Sequence, residues 1–157
     1  MDRCVIDTPL GSAEILGDKF GIQKITIIEE DESPSTQIPE SLNNCVDQLA
    51  NYFSGSQRSF NLKLNPQGTD FQKKVWKKLV EVSFGKTISY QKLAKDLGDI
   101  KAIRAVASAN GKNPIWIVIP CHRVIGSDGS LVGYAGGLGR KEWLLRHEGA
   151  IQQTLFS

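Results

Sequence analysis

The chain has 157 residues, of which 40% are hydrophobic and 23% charged, with a formal net charge of +2. These proportions suit a soluble globular protein with room for a sizeable core, as one domain or two small lobes. No apolar run approaches the roughly 18 residues of a membrane span. Three cysteines (Cys4, Cys45 and Cys121) without a CxxC pair exclude a disulfide framework.

Charge is unevenly divided. Residues 1–65 carry ten acidic and five basic side chains, whereas residues 66–157 carry seven acidic and fourteen basic ones. The basic part suggests a polyanion partner, although a solvated lysine-rich face gives the same count. The opening Met1-Asp2-Arg3-Cys4 lacks the basic and apolar regions of a secretion signal, so a cytoplasmic location, nucleoid-associated in a prokaryote, and no membrane partner are expected.

In residues 1–32 the runs Val5-Ile6, Ala13 to Leu16 and Ile22 to Ile28 alternate with the turns Pro9-Leu10-Gly11 and Gly17 to Gly21, which predicts a small antiparallel meander. Leu42, Cys45, Val46, Leu49, Ala50 and Phe53 have helical spacing, with Cys45 as a small core residue. Phe60 to Leu64 alternates like a last strand, and Asn65-Pro66-Gln67-Gly68 reads as a linker. This places a sheet-plus-helix lobe at 1–65 and a second domain at 66–157.

Thr69-Asp70-Phe71-Gln72 has capping-box spacing, opening a helix with Phe71, Val75, Trp76, Leu79 and Val80 on its apolar face. Ser89 is placed to cap a short helix that ends at Gly98, and Lys101 to Ala109 forms a second helix stopped by Asn110-Gly111. Two short helices around a tight turn match a helix-turn-helix and equally an ordinary helical hairpin of an enzyme. Ala102, Ala105 and Ala109 on the second helix would allow close approach to a duplex with little reading of base edges. The fold class expected is mixed α/β (α+β), with an N-terminal antiparallel sheet and a mostly helical, winged-helix-like C-terminal lobe.

The chain is organised around Ile117-Val118-Ile119-Pro120-Cys121-His122-Arg123-Val124-Ile125. The β-branched run reads as a buried strand that Pro120 terminates, leaving Cys121 at a turn close to the core. An isolated thiol has a pKa near 8.5, so a nucleophilic role needs a base and an orienting carboxylate; His122 with Glu148 or Glu142 could supply them. A Cys-His dipeptide alone also fits a buried inert cysteine. The glycine-rich stretch from Gly126 to Gly139 lacks a phosphate-binding pattern and reads as a pocket wall around Tyr134. A last helix spans Arg140 to Gly149 with Trp143, Leu144 and His147 on its buried side.

Taken together, Thr87-Ile88-Ser89-Tyr90, Arg104-Ala105-Val106, Asn113-Pro114, Ile119 to Val124, Tyr134-Ala135-Gly136-Gly137 and Lys141 to Gly149 resemble, in order and spacing, the O6-alkylguanine-DNA alkyltransferases, or methylated-DNA–protein-cysteine methyltransferases. The resemblance covers residues 69–149. It implies a DNA repair protein that takes an alkyl group from O6-alkylguanine in double-stranded DNA, and in principle from O4-alkylthymine, onto Cys121 in one irreversible turnover, as a monomer without a cofactor. It implies that His122 is a base acting through water, Glu148 its orienting carboxylate, Asn113 a brace of the active-site turn and Tyr90 a proton donor to guanine N3. Arg104 would fill the space of a flipped-out nucleotide, with Ser89, Ala102 and Ala105 on the DNA face, suiting a shallow minor-groove fit. Carbonyls of Cys121 and Val124 and the amide of Ala135 would contact the base, in a pocket completed by Trp116, Tyr134 and Gly136. Two departures matter. Trp116 stands where the family often has a smaller residue and is expected to narrow the pocket; the first lobe has Cys4 and Cys45 but no histidine, so no metal is expected. A transcription regulator, a cysteine hydrolase and a lesion-binding protein without transfer are the competing classes.

Overall fold

The structure is a computed structural model that describes residues 1–30, 32–134 and 136–151. It divides into two units, one of residues 1–67 with 114–116, the other of residues 68–113 with 117–157.

In the first unit, β1 (Asp2–Thr8), β2 (Gly11–Asp18) and β3 (Gly21–Ile27) form the antiparallel meander, in the order β1-β2-β3. Alternation gives the sheet its buried face: Ala13 and Ile15 of β2 lie inside, with Cys4 of β1 and Ile25 of β3 opposite Ile15. Gly21 opens β3 at φ 133, and a Cβ there would meet the Lys63 carbonyl at 2.8 Å, so the turn requires glycine. Helix α1 (Glu40–Ser54) contributes Leu42, Cys45, Leu49 and Tyr52 to this core and ends at Gly55 in the left-handed conformation.

The segment after α1 departs from the expected strand. Only Leu64 bridges to Ile22 of β3, in parallel. The buried Gln48 side chain donates to the Asn61 carbonyl at 3.0 Å and accepts from the Asn61 amide at 2.9 Å, so a side-chain amide satisfies the backbone groups that a neighbouring strand would otherwise pair. The unit also takes in Pro114–Trp116: the Ile25 amide donates to the Pro114 carbonyl and the Trp116 amide to the Ile25 carbonyl, both at 3.0 Å.

In the second unit, α2 (Asp70–Leu79) starts with the complete capping box, Thr69 accepting from the Gln72 amide while the Gln72 side chain returns to Thr69. Its buried stripe is Val75, Trp76 and Leu79; Phe71 and Val80, expected on the same face, lie largely in solvent, because the packed contact with the following helices takes only the inner residues. Helices α3 (Tyr90–Asp96) and α4 (Ile103–Gly111) are joined by Gly98 at φ 97 and a single 3-10 turn, Ile100–Ala102, giving the helix-turn-helix arrangement. The Trp76 indole donates to the Ala109 carbonyl at 2.8 Å, so Ala109 belongs to the core and not to an outer face. Helix α5 (Leu138–His147) closes the unit; its buried residues are Lys141, Leu144 and Leu145, while Trp143 stays half-exposed and stacks on His147 at 4.9 Å. Among the described residues no helix is long and apolar enough to cross a membrane.

Candidate active site

The short strands β4 (Ile88–Ser89) and β5 (Val124–Ile125) pair in parallel, Ile88 with Val124 and Ser89 with Ile125. Tyr90 follows β4 and Cys121–Arg123 precedes β5, so this one pairing brings the start of α3 beside the cysteine turn. Helix α3 begins there because Ser89 caps it, its hydroxyl accepting from the Lys92 amide at 3.0 Å.

The run before Cys121 is buried as expected, but it is not a strand. Ile115 makes the only bridge, to Ile25 of β3; from Trp116 the chain turns, and Ile117 is held at φ 69. The hydrophobicity of this run reports burial, which a packed turn produces as well as a strand does. Pro120, at φ −83 and ψ 63, is the centre of an inverse γ-turn closed by the Cys121 amide donating to the Ile119 carbonyl at 2.8 Å. The Asn113 side chain donates to the same carbonyl at 2.7 Å. Cys121–Arg123 then forms one 3-10 turn, with the Arg123 amide donating to the Pro120 carbonyl at 3.0 Å.

Cys121 is 7% exposed. Burial pushes its thiol up, and the Asn113 hydrogen bond and the Lys141 charge offset that only in part, so the resting group is a protonated thiol. Next to it, His122 Nε2 lies 2.7 Å from Glu148 Oε2, with both side chains fully buried. Arg123 grips the same carboxylate, Nε to Oε1 at 2.8 Å and Nη2 to Oε2 at 3.0 Å, and donates through Nη1 to the Val82 carbonyl at 2.6 Å. Burial acts to raise the Glu148 pKa, but the hydrogen bonds from His122 and Arg123 prevail and hold it at about 2. Glu148 is therefore a carboxylate and can only accept, which puts the His122 proton on Nε2. Burial, the largest influence on His122, keeps the ring neutral against the pull of Glu148. A neutral imidazole protonated at Nε2 carries its lone pair on Nδ1, and Nδ1 has no partner among the described residues.

The Tyr90 hydroxyl lies 3.1 Å from the Val132 carbonyl and 3.2 Å from that of Gly133. Burial raises its pKa, a hydrogen bond from Asn110 lowers it, and the nearby Cys121 raises it. Gly133 has φ 64, and a Cβ there would sit 3.1 Å from the Tyr90 oxygen, so glycine is what allows the loop to approach the phenol. Gly136 passes under Tyr134, where an added Cβ would meet the ring at 2.8 Å.

Cys121, His122, Glu148, Asn113, Tyr90, Val124, Tyr134 and Gly136 thus all belong to the second unit. Trp116 does not. It is part of the first unit, buried with its ring 6.2 Å from Phe53. Ala135 lies outside the described residues. On the helix-turn-helix, Arg104 and Ala105 are exposed and Ala102 and Ser89 half-buried.

Three polar residues of the site were not singled out as candidates from sequence. Arg123 clamps Glu148. Lys141 is fully buried, donates to the Val124 and Val132 carbonyls, and lies 5.8 Å and 6.0 Å from the Tyr90 and Tyr134 ring centres; burial brings its pKa to about 8. Asn110 is 1% exposed and reaches both Tyr90 and the Cys121 carbonyl. The signal for two of them was present: Lys141 shares a three-four spacing with Leu144, Leu145 and Glu148, and Asn110 shares one with Val106.

Comparison with known proteins agrees with this geometry. Residues 70–150 match the family model described as 6-O-methylguanine DNA methyltransferase, DNA binding domain, and residues 3–66 match the ribonuclease-like domain of the same description. The methylated-DNA–protein-cysteine methyltransferase of Methanosarcina barkeri is 46% identical over 149 residues, covering 92% of this chain and 94% of the relative. That of Mycobacterium tuberculosis is 43% identical over 147 residues, covering 91% and 89%. The crystal structure of the M. tuberculosis O6-methylguanine methyltransferase superposes with a TM-score of 0.82 at 40% identity, over 97% of this chain and 94% of that one. The M. tuberculosis protein in complex with DNA gives 0.83 at 42%, over 92% and 90%. With both halves matched, the chain belongs to the methylated-DNA–protein-cysteine methyltransferase family.

Proposed function

We propose that the protein repairs double-stranded DNA by taking the alkyl group of O6-alkylguanine onto Cys121, once per molecule. The observation that carries the reading is the buried Glu148–His122 pair, which leaves an imidazole lone pair on the residue that follows a cysteine protonated at rest. Such a thiol needs a base at the moment of attack. His122 Nδ1 takes the Cys121 proton through a bridging water, and Glu148 stabilises the imidazolium that forms. The sulfur attacks the alkyl carbon, forming the S–C bond as the C–O6 bond breaks. The electron pair of that bond passes into the purine, and Tyr90 delivers a proton to guanine N3, so the base departs neutral. The proton lost by the thiol and the proton gained by guanine balance. A thioether is a poor leaving group and nothing in the mechanism regenerates the thiol, so the reaction stops after one turnover.

A base inside a duplex is out of reach of a buried thiol, so the nucleotide has to leave the stack. Exposed Arg104 at the start of α4 fills the gap, while Ser89, Ala102 and Ala105 bring the backbone close to the minor groove. The carbonyls of Cys121 and Val124 contact the base, with Tyr134 and Gly136 as the wall. Three free thiols suit a reducing, cytoplasmic setting and action as a monomer. O4-alkylthymine is the second lesion to try.

The test is incubation with duplex DNA containing O6-methylguanine labelled in the methyl group. Label on Cys121, at most one methyl per chain and absent in Cys121→Ala, is expected. Unlabelled wild-type protein, or more than one product per chain, would sink the reading. Arg104→Ala should slow repair in duplex more than reaction with the free base.

A further inference from the structure

We propose that Asn110 is a positioning residue of the transfer reaction, whose side-chain amide holds the Tyr90 hydroxyl to the Cys121 turn and steadies the phenol oxygen as it gives up its proton. The inference rests on the alkyl-transfer reading above and adds a residue to it.

Asn110 comes from the last turn of α4, Tyr90 from the first turn of α3, and Cys121 from the turn after Pro120. The Asn110 Nδ2 is 3.5 Å from the Tyr90 oxygen and 3.4 Å from the Cys121 carbonyl oxygen. The carbonyl fixes which way the amide faces, because an oxygen that can only accept must meet the NH2 end. One N–H is then directed to each partner. Both contacts are long, as hydrogen bonds of a catalytic group commonly are before substrate binds.

The opposite end of the side chain argues that structure alone does not explain Asn110. Its Oδ1 is buried with no partner among the described residues. An unsatisfied buried acceptor is destabilising, and an apolar side chain would fill an inner helix position beside Val106 and Ala109 without that penalty. What the amide supplies, and an apolar residue cannot, are the donors to Tyr90 and to the Cys121 carbonyl. As the phenol passes its proton to guanine N3, negative charge develops on its oxygen, and an N–H already aimed at that oxygen stabilises it. The influences on Tyr90 run the same way: burial disfavours the ionised phenol and the Asn110 hydrogen bond favours it. The second N–H holds the backbone of the attacking residue, so the proton donor and the nucleophile keep one spacing.

The experiment is a double-mutant cycle on single-turnover transfer from an O6-methylguanine duplex, using wild type, Asn110→Met, Tyr90→Phe and the double variant. Asn110→Met is expected to lower the transfer rate about tenfold, in the range of a lost hydrogen bond to a developing charge, with duplex affinity changed less than twofold. In the Tyr90→Phe background the same change should cost less than twofold, and the alkaline limb of the pH–rate profile should move to higher pH in Asn110→Met. An equal loss in both backgrounds, or no loss in either, overturns the inference. A lesion with carbon in place of N3 repeats the comparison without altering Tyr90, and there the two proteins should react alike. If Asn110→Met does not fold, Asn110→Leu, which is close to asparagine in shape and has no donor, enters the same cycle with the same criteria. Wild type that transfers nothing to Cys121 counts against the alkyl-transfer reading instead, so the two failures are distinct.

Discussion

Glu148→Gln tests how the base is held. The carboxylate receives His122 Nε2 and two nitrogens of Arg123, all buried, and these contacts bring its pKa from the ordinary 4.5 to about 2. A group whose folded pKa is depressed stabilises the fold fully above its unfolded pKa, and that contribution is lost as pH falls through the folded one. The displacement corresponds to about 3 kcal/mol at neutral pH. The same size follows from the structure, because Gln leaves the nearly buried Arg123 guanidinium without its counter-charge, a loss of roughly 3–5 kcal/mol. Urea unfolding at pH 7 should therefore show the variant less stable by about 3 kcal/mol, or roughly 1.5 M in midpoint for a slope of about 2 kcal/mol per M. The gap between the two proteins should narrow from about pH 4.5 downward and close near pH 2. His122, whose pKa is held below its ordinary value by burial, also costs stability in acid, but it does so in both proteins and beginning below about pH 6.5. A stability difference under about 1 kcal/mol at pH 7, or one that stays constant from pH 5 to pH 2, would refute the reasoning.

Three further substitutions probe the frame of the site. Gly133→Ala puts a Cβ at 3.1 Å from the Tyr90 oxygen on a backbone of φ 64; it should cost about 1–2 kcal/mol in unfolding experiments and slow transfer, and an unchanged rate would show that the loop yields. Lys141→Met removes the donor to the Val124 and Val132 carbonyls and leaves the buried Val124 acceptor unmet, so urea unfolding should show a loss of about 1–3 kcal/mol; an unchanged midpoint contradicts a role for this side chain in holding the two segments. Ile117 is fully buried at φ 69, so both truncations destabilise, but Ile117→Gly should be more stable than Ile117→Ala by about 1 kcal/mol, reversing the usual order. Equal stabilities by urea midpoint would mean that no strain is held there.

The parts of the fold legible from sequence are those where local chemistry and tertiary packing ask for the same thing. The hairpin at Gly21, the Thr69–Gln72 box and the Ser89 cap each need particular residues at particular backbone angles, and those residues are visible in one dimension. The segment 60–64 shows the limit. Its alternation is that of a strand, yet the groups of Asn61 are met by Gln48, thirteen residues earlier on a helix, and no local pattern announces a side chain that substitutes for a neighbouring strand. Trp116 shows another. Its neighbours in sequence lead to Cys121, but pairing of Pro114 and Trp116 with Ile25 draws it into the first unit, a non-local event.

The site itself divides along the same line. Cys121 and His122 stand out as candidates in the sequence, while the residues alone leave the carboxylate open between Glu148 and Glu142. Apart from Asn113, which the resemblance gives as a brace of the turn, the support is not legible, because it is carried by backbone carbonyls. The Ile119 carbonyl accepts from both Asn113 and the Cys121 amide, that of Val124 from Lys141, that of Val82 from Arg123, and that of Cys121 from Asn110. A carbonyl has no identity in a sequence. Its availability depends on which turns leave it unpaired, and here a β-branched residue at positive φ and a proline-centred γ-turn interrupt any strand ladder. Had Ile117–Ile119 been the strand that its composition suggests, the Ile119 carbonyl would have been directed to a strand neighbour, and Asn113 would have had nothing to grip. The irregular backbone before Cys121 is thus what frees the acceptors that hold the thiol's surroundings in place, which is why a strand-like sequence at this point has to fold as a turn for the cysteine to be positioned at all.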